Sequence, residues 1–234
     1  MCTVTFIPRG FDDFVLTSNR DEAPNRETLA PAIYKIDDTQ LLFPKDAVAG
    51  GTWIGLSERK RLICLLNGGF TAHERQEAYR MSRGVIVTDL LTSEDVVAAI
   101  KTYDFHDIEP FTIILVDWEK ELKLYELVWD GVNSHLEEKP IAPAIWSSSL
   151  LYAETVKKKR ESWFSEFLFK EMRPSEASIL KFHKSAGEGD LETNLIMDRG
   201  FVKTKSVTQI QKNTEITSMR YEDIAQQTVS LHSL

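Results

Sequence analysis

Runs with a two-residue apolar period stand at both ends of this chain, and runs with helical spacing stand only between them. That order is the strongest constraint on what the chain folds into. Residues 2–8 alternate as CTVTFIP, and after RGFDD the stretch FVLTSNR resumes the pattern, so the two predict a hairpin that turns near Gly10. A polar, proline-bearing segment follows from Glu22 to Pro31, then short strands at 32–36 and 40–43. TWIGL and RLICLLN predict a second hairpin across the charged turn SERK, with glycines at both outer ends. From Ser82 to Tyr103 the spacing is helical, with Ser93 placed to cap the second of two helices and Glu94 and Asp95 in its first turn. FTIILVDW and ELKLYELVWD predict another strand pair, and APAIWSSS a further strand. A long amphipathic helix is expected from Leu150 to Lys170 and a shorter one in SEASILKFHK, before KSVTQIQK and TEITSMRYED return to alternation. No linker or repeat divides this order. It predicts one α+β domain over residues 1–234, with antiparallel sheets covered by helices and the first strand central in its sheet.

Composition narrows the function classes. The chain has 234 residues, 42% hydrophobic and 27% charged, which is enough apolar material for a sizeable core. No run approaches the roughly 20 apolar residues needed to span a bilayer, and the N-terminus has no basic segment followed by an apolar stretch, so the cytoplasm is the expected compartment and stable membrane insertion is not expected. A net charge of −8 disfavours nucleic acid as a partner. The one basic cluster, KKKR at 157–160, reads as the solvated face of a helix. Cys2 and Cys64 are the only cysteines and form no disulfide framework. No metal site is expected, since His73, His106, His135 and His183 show no ligand spacing, and a cysteine–histidine pair could meet only in the fold.

Three motifs carry chemistry. Cys2 directly follows the initiator methionine, so trimming would leave a thiol and a free α-amine on one residue, a nucleophile bonded to its own base. SNRDE packs five polar residues at the end of an apolar strand, and the hairpin returns Asn19, Arg20 and Asp21 towards Cys2. There a carboxylate can hold the amine and an arginine can lower the thiol pKa; otherwise Arg20 and Asp21 form a surface pair and Asn19 caps a turn. Asn67 ends an apolar strand and is followed by two glycines, which makes its amide a donor for an oxyanion or simply part of a turn. In AGGTWIG the glycines either admit a ligand or start a strand, and Trp53 is either a pocket wall or core. The stripe WFSEFLF reads as a core-facing helix.

Taken together, MC at the start, SNRDE, GGTWIG and LLNGG resemble the NRDE family, which includes the transport and Golgi organisation protein 2 group. That family is similar to the N-terminal nucleophile hydrolases and, more distantly, to the conjugated bile acid hydrolase and penicillin V acylase group. The resemblance implies a four-layer αββα sandwich in which Cys2 attacks an amide carbonyl, Asp21 orients the amine and Asn67 helps to form the oxyanion hole, with no cofactor. Arg20 stands next to Asp21, whereas the acylase pattern has its arginine two or three residues earlier. Ser148 stands where a second asparagine is expected, and Lys205 in KTKSV where an arginine is usual, which keeps the charge and loses the planar fork. Asn19, Trp53, Ser148 and Lys205 are the candidate substrate-binding residues. The expected activity is hydrolysis or acyl transfer on a small-molecule acyl amide. The alternative is a non-catalytic protein on the same fold that handles haem or an acyl lipid.

Overall fold

The computed structural model describes residues 3–214 and 216–234. They fall into two compact units, Met1–Asn25 with Ala142–Leu231, and Arg26–Ile141 with His232–Leu234. Among the described residues no helix is long and apolar enough to cross a membrane.

In chain order the strands up to the first helix are β1 (Thr3–Pro8), β2 (Phe14–Glu22), β3 (Thr28–Ile36), β4 (Thr39–Asp46), β5 (Ile54–Ser57) and β6 (Arg61–Asn67). Helices α1 (Arg83–Thr92) and α2 (Val96–Thr102) follow, then β7 (Phe111–Asp117), β8 (Lys123–Trp129), β9 (Ser134–Lys139) and β10 (Ala144–Ser147). The chain closes with α3 (Glu154–Lys170), α4 (Glu176–Ser185), β11 (Lys203–Lys212), β12 (Thr217–Asp223) and β13 (Thr228–Ser233).

The first unit is built on a sheet of order β10-β1-β2-β11-β12-β13. The expected first hairpin forms, turning at Gly10, whose φ of +88° suits a residue without Cβ. β1 lies between β10 and β2, so it is an interior strand of its sheet, as expected. Odd-numbered residues of β1 and β2 share one face, because antiparallel partners point the same way. On that face Ile7 and Val15 pack with Phe164 of α3 and with Ile179 and Phe182 of α4, and Trp163, Phe167 and Leu168 flank the cluster. The aromatic stripe therefore faces a core, while Phe169 at its end is exposed. Burying several such side chains contributes about 2 kcal/mol each, which is what holds α3 and α4 to the sheet.

The second unit is a seven-stranded antiparallel meander, β3 to β9 in sequence order, with α1 and α2 packed on the face carrying Ile63, Leu65, Ile113 and Leu115. Its glycines serve the chain path. A Cβ at Gly51 would lie 2.3 Å from the carbonyl carbon of Gly84, so AGGTWIG brings its own backbone against the start of α1. A Cβ at Gly69 would lie 2.9 Å from the carbonyl oxygen of Trp129. Trp53 is buried, and its carbonyl accepts from Leu65 N–H at 2.8 Å.

Four expectations change. Asp95, not Ser93, caps α2, with its carboxylate accepting from Ala98 N–H at 2.9 Å. The Ser93 hydroxyl instead donates to Leu90 C=O at 2.7 Å, closing α1. The long helix starts at Glu154, four residues later than its apolar spacing suggests, after a turn in which Tyr152 N–H donates to Ser148 C=O. Strands β9 and β13 are additions, both edge strands: β9 is almost wholly polar, and the short alternation of Val229 and Leu231 in β13 is exposed. Finally, Arg160 of KKKR is fully buried rather than solvated, with consequences for the site below.

Candidate active site

Four strand ends of the first unit meet at one edge. β1 begins at Thr3, which pairs with Ser147 at the end of β10 and with Asn19 near the end of β2. β11 begins opposite, with Thr204 paired to Asp21 and Ser206 to Arg20, and the irregularity between them takes up Lys205. This convergence gathers Asn19, Arg20, Asp21, Ser148 and Lys205 near the start of β1. Cys2 lies outside the described residues. Asn67, the half-buried last residue of β6 paired with Phe111, and Trp53 belong to the second unit.

Asp21 is 2% exposed, and both of its oxygens are held. The Tyr152 hydroxyl donates to Oδ2 at 2.8 Å and the Thr204 hydroxyl to Oδ1 at 2.5 Å. Thr204 is itself fixed, since its Oγ1 accepts from Met197 N–H at 2.9 Å. A carboxylate out of water needs such donors, because an unmatched buried charge costs several kcal/mol. Tyr152 is immobilised through its ring: the Arg160 guanidinium carbon lies 3.7 Å from the ring centroid and that of Arg199 5.1 Å. Arg160 donates to Thr3 Oγ1 at 2.5 Å, and to the carbonyls of Thr193 and Asn194 at 2.7–3.1 Å. One buried cation thereby touches the start of β1 and the ring that holds Asp21.

Asn19 faces the same helices two residues away, in a second network. Its amide donates to the carbonyls of His183 at 3.1 Å and Leu195 at 2.7 Å. Its Oδ1 can only accept, so His183 Nδ1, 2.6 Å away, carries the proton. His183 Nε2 is then an acceptor, and the Thr5 hydroxyl donates to it at 2.7 Å. Burial first, and the Arg160 charge second, push the His183 pKa down to about 3. The ring is neutral and fully engaged. Asn19 thus ties α4 and the segment before β11 to the sheet.

Arg20 is buried on the opposite face of β2 from Asn19 and Asp21, with its Nη2 3.9 Å from Glu22 Oε2 and its charge acting on Tyr221. Lys205 turns away from Asp21, and its Nζ donates to Pro24 C=O at 2.6 Å. Ser148 is fully buried directly after the residue that pairs with Thr3.

Tyr152, Thr204, Arg160 and His183 are the residues that sequence reasoning did not place here. Two signals were present. Arg160 stands four residues before Phe164, on the buried stripe of α3. Thr204 adjoins Lys205 in KTKSV, and the local irregularity decides which of the two reaches Asp21.

The family model described as Transport and Golgi organisation 2 matches residues 1–164. Among curated proteins nothing matches. Solved structures do. A variant of the conjugated bile acid hydrolase of Clostridium perfringens is 9% identical, with a TM-score of 0.60 over 99% of this chain and 92% of that one. The Caenorhabditis elegans ortholog of N-acylethanolamine-hydrolyzing acid amidase is 13% identical, with a TM-score of 0.61 over 89% of this chain and 92% of that one. Penicillin V acylase from Agrobacterium tumefaciens is 10% identical, with a TM-score of 0.55 over all of this chain and 86% of that one. The fold is that of the N-terminal nucleophile hydrolases, as the opening motifs imply.

Proposed function

This chain belongs to the Transport and Golgi organisation 2 family, and on that premise we propose that it is an N-terminal cysteine hydrolase or acyltransferase acting on an acyl amide. The observation that carries the reading is Asp21, a buried carboxylate gripped at both oxygens, two residues along β2 from the partner of Thr3. Cys2 is joined to Thr3 by one peptide unit, about 3.8 Å between Cα atoms. A carboxylate fixed at that place suits the task of holding an α-amine. Similarity to solved structures that include an amidase and an acylase supports the choice of an amide as substrate class.

The steps follow from the groups assigned. Removal of Met1 frees the Cys2 amine, whose pKa is about 8 when unperturbed, and the amine takes the thiol proton. The sulfur attacks the amide carbonyl, and the tetrahedral oxyanion requires a hydrogen-bond donor. The ammonium returns its proton to the departing amine, leaving a thioester on Cys2. Water, deprotonated by the same amine, or a second amine in acyl transfer, then releases the acyl group and restores the thiol.

The test compares wild type, Cys2→Ala, Cys2→Ser and a form extended by residues that block the amine, on a panel of long- and short-chain acyl amides. Turnover in wild type alone, or in wild type with weak activity in Cys2→Ser, is expected. Equal rates in all four remove the hypothesis. Intact mass gives a prior check, because retention of Met1 leaves no free amine on Cys2.

A further inference from the structure

We propose that Arg160 is a positioning residue that fixes the start of β1 and the carboxylate of Asp21 as one rigid group, acting through Thr3 on one side and Tyr152 on the other. The proposal rests on the reading of Cys2 as nucleophile and adds to it a helix side chain that touches neither substrate nor sulfur.

The geometry makes the case. Every hydrogen bond described for the Arg160 guanidinium goes to a neutral acceptor: the Thr3 hydroxyl and the backbone carbonyls of Thr193 and Asn194. Its planar face lies on the Tyr152 ring at 3.7 Å. Burying a cation among neutral partners is expensive, and an apolar side chain of similar length would serve packing between α3 and the sheet better. What an apolar residue cannot do is bind Thr3 and stack on Tyr152 at once. The fork shape matters as well, since Arg160 splits its donors between the strand start and the 193–194 carbonyls while its face stays on the ring. Arg199 stands on the same ring at 5.1 Å and is anchored by the carbonyls of Leu151 and Glu192. With the ring held, the hydroxyl of Tyr152 has one direction to point, and Asp21 Oδ2 lies in it.

The consequence is electrostatic. A carboxylate held beside the α-ammonium raises the pKa of the amine, and one free to rotate away raises it less. Only two cysteines are present, so protein labelled with 13C-cysteine gives two sets of resonances, and those of buried Cys64 serve as an internal reference. The experiment follows the Cys2 resonances against pH in Met1-processed protein, for wild type, Tyr152→Phe, Thr3→Val, Arg160→Lys and an unstructured peptide beginning Cys-Thr-Val. Wild type is expected to show the amine step above that of the peptide. Tyr152→Phe keeps the ring and loses the donor, and should lower the step by about half a unit to one unit. Thr3→Val should lower it by less, and Arg160→Lys by at least as much as Tyr152→Phe. A merely structural role for these residues moves thermal stability and leaves the amine step in place.

Wild type above the peptide with Tyr152→Phe and Thr3→Val both unchanged overturns the brace while leaving the nucleophile reading standing. Wild type indistinguishable from the peptide overturns the brace outright. Loss of the reading itself is seen separately, as turnover that survives Cys2→Ala. Should Arg160→Lys not fold, the other two variants still decide.

Discussion

Two polar networks lie on the helix-covered face of the same sheet, only two residues apart along β2, and they differ in kind. Around Asn19 every group is neutral and the bonds close on themselves, from Thr5 to the His183 ring, from the ring to the Asn19 carbonyl, and from the Asn19 amide to two backbone carbonyls. Around Asp21 the groups include a carboxylate and a buried guanidinium, and the chain of contacts ends at Thr3, the strand start. A closed neutral network stabilises a fold at modest cost in desolvation. A charged network at a strand end costs more and is justified by chemistry at that end. Breaking the first should therefore be felt in stability, and breaking the second in turnover.

The largest effect is expected from His183→Ala. The substitution opens a cavity where the ring was and strips partners from the Asn19 carbonyl and the Thr5 hydroxyl, so a loss of about 4 kcal/mol is expected from the cavity and the unmatched groups together. Urea denaturation measures it. A loss below about 1 kcal/mol would mean that the closed network does not hold α4 to the sheet.

Next is Asp21→Asn, where the contrast reverses. The amide keeps an oxygen for one hydroxyl and offers N–H to the other, so stability should change by no more than about 1 kcal/mol. Turnover of an acyl amide should fall on the order of 100-fold, because the group that orients the base has lost its charge. If instead the variant unfolds easily and its residual activity per folded molecule matches wild type, Asp21 belongs with the structural network.

How far these networks could be read beforehand differs residue by residue. The hairpin that carries Asp21 to the start of β1 follows from alternation and a glycine turn, and the contrast of a polar SNRDE on an apolar strand marked it as costly. Asn19 looked like a partner for a ligand because its type and place allowed that; its actual bonds go to residues 164 and 176 positions away, which no local pattern encodes. Arg160 was hidden by its neighbours, since three lysines precede it and a charge run normally faces water. Ser93 and Asp95 are both competent caps, and the choice depended on where α1 ended. β9 carries almost no apolar residue, and β13 only Val229 and Leu231, too short a run at the chain end to mark a strand, so their pairing in the sheet reveals them.

A pH titration of stability sharpens the comparison further. The His183 pKa is lowered from 6.5 to about 3 in the fold, so the unfolded chain takes up the proton first. The stability that His183 contributes is therefore complete above pH 6.5 and is lost progressively as pH falls towards 3. The slope is about 1.4 kcal/mol per pH unit, or about 2 kcal/mol by pH 5. The gap between the denaturation midpoints of wild type and His183→Gln should narrow from its neutral-pH value over that window, wild type falling more steeply. Parallel curves would show that the ring is not held neutral.

The smallest effect belongs to Thr5→Val, which keeps the shape of the side chain and removes one donor. Tautomer logic fixes what is lost: Nδ1 carries the proton for Asn19, so Nε2 is left as a buried acceptor with no hydroxyl to meet it. A cost of about 1 kcal/mol is expected by denaturation, with turnover unchanged because no member of the Asp21 network is touched. The double variant Thr5→Val with Tyr152→Phe then separates the two networks. If they are independent, the stability losses of the two substitutions add, and the change in amine titration is the same in the double variant as in Tyr152→Phe alone. Coupling in either readout would make Arg160, which lowers the His183 pKa and stacks on Tyr152, the link between them.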